Sequence, residues 1–237
     1  MTWIKICGMT NLDDALLACK SGADAVGFVF YEASPRGVNA ETAREICSKL
    51  PENVEKVGVF VNCSVDDWVQ IVLAAKLTAV QHYMPVGSVT LHYMQATSRK
   101  VFPIPLKFYL ALPLNPMIEA GKVEDQAQLI EGFALRSSEG ELDAWFLDSG
   151  GAGAPGGTGK TFDWPRAAPL VRAISRCGQK AVVAGGLTPL NVGEAIETLR
   201  PWGVDVASGV ETRPGRKDPE KLRSFVRAVR EMDARIA

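Results

Sequence analysis

Short apolar runs alternate along the chain with segments whose apolar residues recur every three or four positions. The runs contain few polar residues, which is typical of strands in a parallel sheet that helices cover on both faces. Pro103 and Pro105 are disfavoured inside a central strand, so the fifth run predicts a strand that begins nearer Leu106. The eight runs that predict strands are residues 3–7, 25–31, 54–61, 79–82, 102–111, 144–148, 180–184 and 204–207.

The segments between these runs have the periodicity of amphipathic helices. Capping residues predict helix starts at Asn11, Asn39, Asp163 and the pair Thr188-Pro189. Eight strands linked mostly by helices predict an α/β fold, a (β/α)8 TIM barrel with eight parallel strands, and an open doubly wound sheet is the alternative. No linker divides the sequence, so we expect one domain over residues 1–237. The apolar stripes are Leu12, Ala15, Leu16 and Cys19; Ala43, Ile46, Cys47 and Leu50; and Leu222, Phe225, Val226 and Val229.

Composition narrows the classes of function. The 26 basic and 27 acidic residues nearly cancel, and the Arg-rich stretch 213–235 is interleaved with acidic residues, as on a solvated helix face. We therefore expect no nucleic-acid or membrane partner. Five cysteines without a Cys-x-x-Cys pair and only two histidines argue against a disulfide framework or a zinc site. With no signal-peptide pattern and no apolar run that could span a bilayer, a reducing cytoplasm is expected.

Two reactive side chains stand at predicted strand ends. Cys7 follows the first apolar run and precedes Gly8, and Asp148 ends the sixth run before a glycine-rich loop. The carboxyl ends of barrel strands meet at one face, where active sites lie. A thiol and a carboxyl at that face suggest a general base and a general acid that share one pocket. Burial near Phe146 would raise the pKa of the Asp148 carboxyl and favour its acid form.

Small residues after the last two strands predict an anion site. Gly185 and Gly186 follow strand seven, and Ser208 and Gly209 follow strand eight. Small residues let backbone N–H groups approach an anion, and barrel phosphate sites often use these two loops. A phosphorylated small molecule is therefore the expected ligand. By strand alternation Lys5 points into the barrel with Cys7, where it would favour the thiolate or pair with Asp205 on strand eight.

The glycine-rich loop after Asp148 imitates a nucleotide-binding motif. Gly157-Thr158-Gly159-Lys160-Thr161 has the end of a Walker A sequence, but Ala154 stands where the motif requires its first glycine. A mobile lid over the pocket is the favoured interpretation of this loop. A P-loop nucleotide hydrolase is the weakest alternative for the function of the chain.

The strand-end motifs together resemble the phosphoribosylanthranilate isomerase family in order along nearly the whole chain. They are Lys5-Ile6-Cys7-Gly8, Gly27-Phe28-Val29-Phe30, Ser34-Pro35-Arg36, Val57-Gly58-Val59-Phe60-Val61-Asn62, Phe146-Leu147-Asp148, residues 156–164, Ala184-Gly185-Gly186-Leu187 and Ser208-Gly209-Val210-Glu211.

The resemblance implies an Amadori rearrangement in tryptophan biosynthesis, without a cofactor, by a monomeric or homodimeric barrel. It implies that Cys7 removes the C2 proton of the ribose and that Asp148 protonates the ring oxygen. Arg36 would bind the anthranilate carboxylate. The phosphate would be held by Gly185, Gly186, Ser208 and Gly209, with Gly157 in the loop that closes over the substrate.

One motif departs from the family pattern. The family usually has Gln-Leu-His-Gly after strand four, whereas this chain has Gln81-His82-Tyr83-Met84. A one-residue slip along a strand reverses the direction of a side chain, so His82 either contacts the substrate or faces away from it. Two alternative functions stay open. One is the related phosphoribosyl isomerase of histidine biosynthesis, which Cys7 argues against because that reaction pairs two aspartates; the other is a phosphosugar-binding barrel without turnover.

Overall fold

Eight parallel strands close into a barrel in which each strand pairs with the next and β8 pairs with β1. The computed structural model describes residues 1–61, 63–83, 96–97, 100–102, 105–136, 142–150 and 161–236. This architecture confirms the predicted (β/α)8 barrel. The strands are β1 (Trp3–Ile6), β2 (Ala25–Phe30), β3 (Glu55–Val61), β4 (Ala79–Tyr83), β5 (Lys107–Pro113), β6 (Ala144–Asp148), β7 (Ala181–Val183) and β8 (Gly203–Val206).

Helices surround the barrel, and their starts follow simple capping chemistry. The side chains of Asn11, Asn39 and Asp163 each accept a hydrogen bond from a backbone N–H in the first turn, as predicted. A short 3₁₀ turn (Ser208–Val210) and a two-stranded ribbon of β9 (Glu211–Arg213) and β10 (Arg216–Lys217) follow β8. The helices whose bounds are described are α1 (Leu12–Ser21), α2 (Ala40–Cys47), α3 (Val65–Ala75), α4 (Asn115–Glu119), α5 (Val123–Arg136), α6 (Trp164–Arg176), α7 (Val192–Leu199) and α8 (Pro219–Ile236).

Two element starts differ from the simplest interpretation of the sequence. Strand β5 begins at Lys107, next to the start near Leu106 that the two prolines indicate, and Phe102 lies before it with its ring stacked on Trp68 at a centroid distance of 5.8 Å. Helix α7 begins at Val192, so the predicted start at Thr188 is corrected. The Asn191 side chain accepts the Thr188 N–H at 2.7 Å, and this contact closes a separate turn before the helix.

Strand alternation sorts the side chains into two layers. On β1, Ile4 and Ile6 face the helices and join the large apolar core, whereas Trp3, Lys5 and Cys7 face the barrel axis. The inward residues change character along the axis. Aromatic and small side chains fill the end where the strands begin, and polar side chains collect where the strands end. The barrel interior is therefore closed at one end and reactive at the other. None of the described helices is long and apolar enough to cross a membrane.

Candidate active site

A cavity of about 390 Å³ opens at the carboxyl ends of the strands. Its walls come from inward-facing residues of β2, β3, β4, β6 and β8 and from the loops after β1, β2, β7 and β8. Apolar side chains such as Val29, Val59 and Val61 line the cavity together with several polar groups. This combination is typical of a small-molecule site. The polar lining includes Cys7, Arg36, Gln81, Tyr83, Asp148 and Asp205.

Cys7 and Lys5 stand one above the other on the inner face of the barrel wall. Gly27 makes room for both, because a Cβ at this position would lie 2.7 Å from Cys7 Sγ and 3.0 Å from Lys5 Cε. Lys5 Nζ donates to Asp205 Oδ2 at 2.9 Å, which confirms the predicted pairing. Burial raises the pKa of the Cys7 thiol, and the Lys5 ammonium opposes that shift. The thiolate is therefore favoured by its neighbour but disfavoured by its surroundings.

Asp148 lies at the end of β6 with both carboxyl oxygens engaged. Oδ2 accepts the Tyr83 hydroxyl at 2.7 Å, and Oδ1 accepts the Gly150 backbone N–H at 3.0 Å. Burial raises the pKa of the Asp148 carboxyl, although both hydrogen bonds act in the opposite direction. The net effect favours the protonated form. An acid in this state can donate a proton to a substrate in the cavity.

His82 does not reach the cavity, and its predicted contact with a substrate is corrected. Its ring stacks on Phe60, with centroids 5.3 Å apart, and meets the edge of Trp68 at 6.0 Å. These contacts place it between the barrel and helix α3. The neighbours Gln81 and Tyr83 point inward and line the cavity, as strand alternation requires. In the register of the family motif, Tyr83 therefore occupies the position of the histidine.

Arg36 is held by a buried acidic partner. Its Nε and Nη2 donate to the Glu211 carboxylate at 2.8–3.2 Å, and Glu211 also accepts from Lys217 Nζ at 3.0 Å. Burial alone would raise the pKa of Glu211, but Arg36 and Lys217 outweigh it and lower that pKa. The fork of Arg36 is thus fixed in orientation. Among the described residues Nη1 has no hydrogen-bond partner, and Arg36 lines the cavity.

The predicted anion site lies beside these groups. Gly185, Gly186 and Ser208 line the cavity. The backbone bends sharply there, with φ of +80° at Gly185 and +65° at Gly186. A Cβ at Gly185 would lie 2.1 Å from Ser149 Oγ, and one at Gly209 would lie 1.8 Å from Leu187 O. Only glycine fits at these two positions, because the loop after β7 lies close to the loop after β6 at Gly185 and close to the loop after β8 at Gly209. Gly209 forms the turn behind Ser208 and does not itself line the cavity.

Three predicted features lie outside the described residues. They are Asn62, Gly157 and the Walker-like loop that contains Lys160. Within the described part of the chain, no group of three or more His, Cys, Asp or Glu side chains is arranged to hold a metal ion.

Sequence reasoning misses two contributors to the site. Tyr83 stands beside the histidine of the family motif, and its inward position, two residues after Gln81, is the signal that could have identified it. Lys217 belongs to the charged stretch that the sequence predicts to be solvated, yet its side chain is fully buried and Nζ donates to the Cys7 carbonyl oxygen at 2.6 Å. The prediction for residues 213–235 is therefore wrong for Lys217. Lys217 lies in the segment just before helix α8, and nothing in the surrounding sequence indicates that its side chain is buried.

Comparison with known proteins gives a consistent result. Residues 4–228 match the model of the family described as N-(5'-phosphoribosyl)anthranilate (PRA) isomerase. The N-(5'-phosphoribosyl)anthranilate isomerase of Pelobacter propionicus is 40% identical over 231 residues, which cover 98% of this chain and 97% of the relative. The enzyme of the same name from Thermotoga neapolitana is 37% identical over 227 residues, with 96% and 98% covered.

Solved structures of the same kind share the fold. A crystal structure of phosphoribosyl anthranilate isomerase in complex with reduced 1-(o-carboxyphenylamino)-1-deoxyribulose 5-phosphate has a TM-score of 0.75 and 32% identity, with 98% of this chain and 100% of that chain covered. The enzyme from Thermus thermophilus has a TM-score of 0.74 and 30% identity, with the same coverage.

Proposed function

The chain belongs to the phosphoribosylanthranilate isomerase family, and we propose that its cavity converts N-(5-phosphoribosyl)anthranilate into 1-(2-carboxyphenylamino)-1-deoxyribulose 5-phosphate in tryptophan biosynthesis. The observation that carries the proposal is that three kinds of functional group line one cavity. A thiol, a buried carboxyl and a glycine-rich anion site all line the same walls. This reaction needs a general base, a general acid and a phosphate-binding site, and it needs no cofactor.

Asp148 acts as the general acid in this proposal. It gives a proton to the furanose ring oxygen, the bond from C1 to that oxygen breaks, and the nitrogen lone pair forms a protonated Schiff base. The acid must be protonated when the substrate binds, and burial of the Asp148 carboxyl raises its pKa in that direction. The chemistry of ring opening and the surroundings of this carboxyl therefore agree.

Cys7 acts as the general base on the second half of the reaction. The protonated Schiff base withdraws electrons and acidifies the proton on C2, so a modest base suffices. The thiolate takes that proton and leaves an enolamine, which tautomerises to the ketone product. Lys5 supports the thiolate against the effect of burial. The base is thus reactive mainly when the positively charged intermediate is present in the cavity.

Substrate binding uses the remaining groups. Arg36, oriented by Glu211, faces the anthranilate carboxylate through the side of its guanidinium that Glu211 does not occupy. The backbone around Gly185, Gly186, Ser208 and Gly209 holds the phosphate at the other side of the cavity. The lid role of Gly157 remains a prediction. This arrangement fixes both ends of the substrate and leaves the ribose between Cys7 and Asp148.

We also infer that the enzyme works in a reducing cytoplasm as a monomer or homodimer. All five cysteines are free thiols, and one of them is the proposed base, which oxidation would inactivate. Size-exclusion chromatography with light scattering distinguishes the two assembly states.

Turnover of purified variants tests the catalytic assignments. Asp148→Asn and Cys7→Ser should each lower kcat by about 10²–10⁴-fold while they retain affinity for the reduced product analogue, because each removes a proton-transfer group and leaves the binding groups in place. The fluorescence of the anthranilate group and chromatography of the product measure both quantities. Cys19→Ser, on helix α1, is the matched control and should keep the activity of the parent chain.

The outcomes are distinct. A variant of Asp148 or Cys7 with the parental kcat removes that residue from its role. A parent chain that binds the analogue without forming product is a binding barrel. Growth of a histidine auxotroph, but not of a tryptophan auxotroph lacking this isomerase, would assign the chain to the other phosphoribosyl isomerase reaction.

A further inference from the structure

A tyrosine on β4 donates a hydrogen bond to the proposed general acid, which lies two strands away on β6. Tyr83 ends β4, and its hydroxyl reaches over β5 to Asp148 on β6 at 2.7 Å. The register of the sheet explains how this is possible. Tyr83 pairs with Ala111 on β5, and Ala111 pairs with Phe146 on β6. A small side chain between the two strands leaves a path for the phenol. The contact therefore depends on a tyrosine at this position and on a small residue beside it.

The hydrogen bonds of Asp148 determine the plane of its carboxyl group. Tyr83 holds Oδ2 and the Gly150 N–H holds Oδ1, so rotation about the bond to the carboxyl carbon would break both contacts. Tyr83 itself is half-buried, lines the cavity, and packs against the apolar cluster of the barrel interior. A rigid phenol thus links the wall of the cavity to the acid. Geometry of this kind is what general acid catalysis requires.

Resting on the function proposed above, we propose that Tyr83 is a positioning residue, which orients the Asp148 carboxyl toward the substrate ring oxygen and stabilises the carboxylate that remains after proton transfer. In that step the O–H bond of Asp148 breaks and its proton goes to the ring oxygen. The electron pair of the bond between C1 and the ring oxygen goes to that oxygen, and the nitrogen lone pair closes the C=N bond. Asp148 gains the negative charge.

The hydrogen bond from Tyr83 to Asp148 becomes stronger as the negative charge develops on the carboxyl group. A hydrogen bond to an ionised acceptor is stronger than one to a neutral acid, so the contact stabilises the products of proton transfer more than the reactants. The phenol remains a donor throughout, because burial and the nearby Asp148 charge raise the pKa of Tyr83 well above its usual value. Tyr83 therefore lowers the barrier to proton release without giving up its own proton.

Other charged groups face Asp148 and are unchanged by a substitution at Tyr83. They are Lys5 on β1 and Asp205 on β8, and the thiol of Cys7 acts on Tyr83 itself. Burial raises the pKa of Asp148 and the Tyr83 hydrogen bond lowers it, so loss of the hydroxyl should raise that pKa further. The acid form is required for ring opening. A higher pKa therefore keeps Asp148 protonated to higher pH, even as proton release becomes slower.

Three single variants test the proposal. Tyr83→Phe removes only the hydroxyl, and we expect kcat to fall by about 10–100-fold with KM nearly unchanged, the size expected for a lost hydrogen bond to a charged group. The limb of the kcat/KM profile that reports Asp148 should move to higher pH. Tyr83→His supplies another donor and should recover most of the lost kcat. Tyr109→Phe removes an inward hydroxyl at the opposite end of the barrel and should leave both constants unchanged.

A double variant separates positioning from other roles. In the Asp148→Asn background, Tyr83→Phe should cause no further loss, because the group that it positions is gone. A full additional loss there, a rise in KM at constant kcat, or a parental kcat and pH profile in Tyr83→Phe would each overturn the proposal. If Tyr83→Phe does not fold, Tyr83→Met provides the same test. A parent chain without turnover refutes the proposed function itself, and the role of Tyr83 falls with it.

Discussion

The two ends of the barrel interior differ in residue type and in role, although side chains alternate in the same way along the strands at both ends. At the end where the strands begin, Trp3 meets Tyr109 and Phe146 edge to face, with centroids 6.1 Å apart in each pair, and stacks on Trp202 at 5.1 Å. Four residues further along β1 from Trp3, Cys7 belongs to a cavity wall with buried charges. The first end is filled with aromatic rings that stabilise the fold, whereas the second end contains an open cavity with reactive side chains.

Lys5 marks the boundary between the two ends. Its ammonium lies 5.2 Å from the centroid of the Phe146 ring on one side and pairs with Asp205 on the other. Buried ion pairs contribute little net stability, because desolvation offsets their attraction. The reactive end is therefore expected to tolerate, or even gain from, substitutions that remove its charges. The closed end should show the reverse, a large loss of stability without a change in chemistry.

The largest expected effect lies at the closed end. Trp3→Ala should lower the free energy of unfolding by about 3–5 kcal/mol, because it leaves a cavity among three aromatic rings that the barrel cannot fill. Urea denaturation followed by circular dichroism measures this change. Well below the melting temperature, kcat and KM should equal those of the parent, since Lys5 and Asp205 separate Trp3 from the cavity.

Trp3→Phe is the matched control for that variant. It keeps an aromatic ring in the layer and should recover much of the lost stability. A fall in kcat for Trp3→Ala in the folded state would show that the closed end also serves the reaction. That result would remove the division of the interior into a stabilising end and a reactive end.

Removal of the central ion pair should separate stability from activity. The double variant Lys5→Met, Asp205→Leu should be as stable as the parent or more stable by about 1–4 kcal/mol, since apolar side chains of similar size replace two buried charges. Cys7 loses the Lys5 ammonium, which favours its thiolate more than the Asp205 carboxylate disfavours it, so kcat/KM at neutral pH should fall. Denaturation and steady-state kinetics on the same preparation measure both effects.

Single replacements provide the contrast. Lys5→Met alone leaves Asp205 buried without its partner and should be clearly less stable than the double variant. A double variant that is destabilised and fully active would contradict the prediction on both counts. The ion pair would then be a structural element with no bearing on the thiol.

The same comparison explains what the sequence could predict. The alternation of apolar runs and amphipathic segments predicted parallel strands covered on both faces, and the count of eight strands favoured a barrel over an open doubly wound sheet. Cys7, Asp148 and the glycine loops could be found because they stand at strand ends. The start of β5 was harder to locate, since Pro105 and Leu106 fit either a loop or a strand edge.

The rest of the site depended on tertiary contacts that no local pattern specifies. Whether His82 or Tyr83 faces the cavity depends on the register of β4, and in the structure Gln81 and Tyr83 take the inward positions. Glu211 was visible within a motif, but its role as the partner of Arg36 required two distant loops to meet. The burial of Lys217 could not be predicted for the same reason. Strand ends could be predicted from the sequence, and so could the contact of Lys5 with Asp205 on the neighbouring strand, whereas contacts between distant loops could not.

The smallest expected effect concerns the outer face of β4 and depends on pH. Burial lowers the pKa of His82 to about 4 from its usual value of about 6.5, and the two rings that it contacts, Phe60 and Trp68, carry no charge. The unfolded chain takes up a proton as the pH falls below about 6.5, whereas the folded chain resists until about pH 4, so stability is lost across that window. The part of the stability that depends on a neutral His82 is fully present only above about pH 6.5.

His82→Leu removes this titration and restores the residue type of the family motif. Relative to the parent, the variant should gain about 2 kcal/mol on going from about pH 7.5 to about pH 5, as the shift between the two pKa values requires. Because all other titrating groups are common to both chains, the difference between their two stability profiles isolates His82. The kinetic constants near neutral pH should match, since this ring faces helix α3. Parallel stability profiles would show that the imidazole is not buried in a neutral form, and a loss of turnover would return His82 to the cavity.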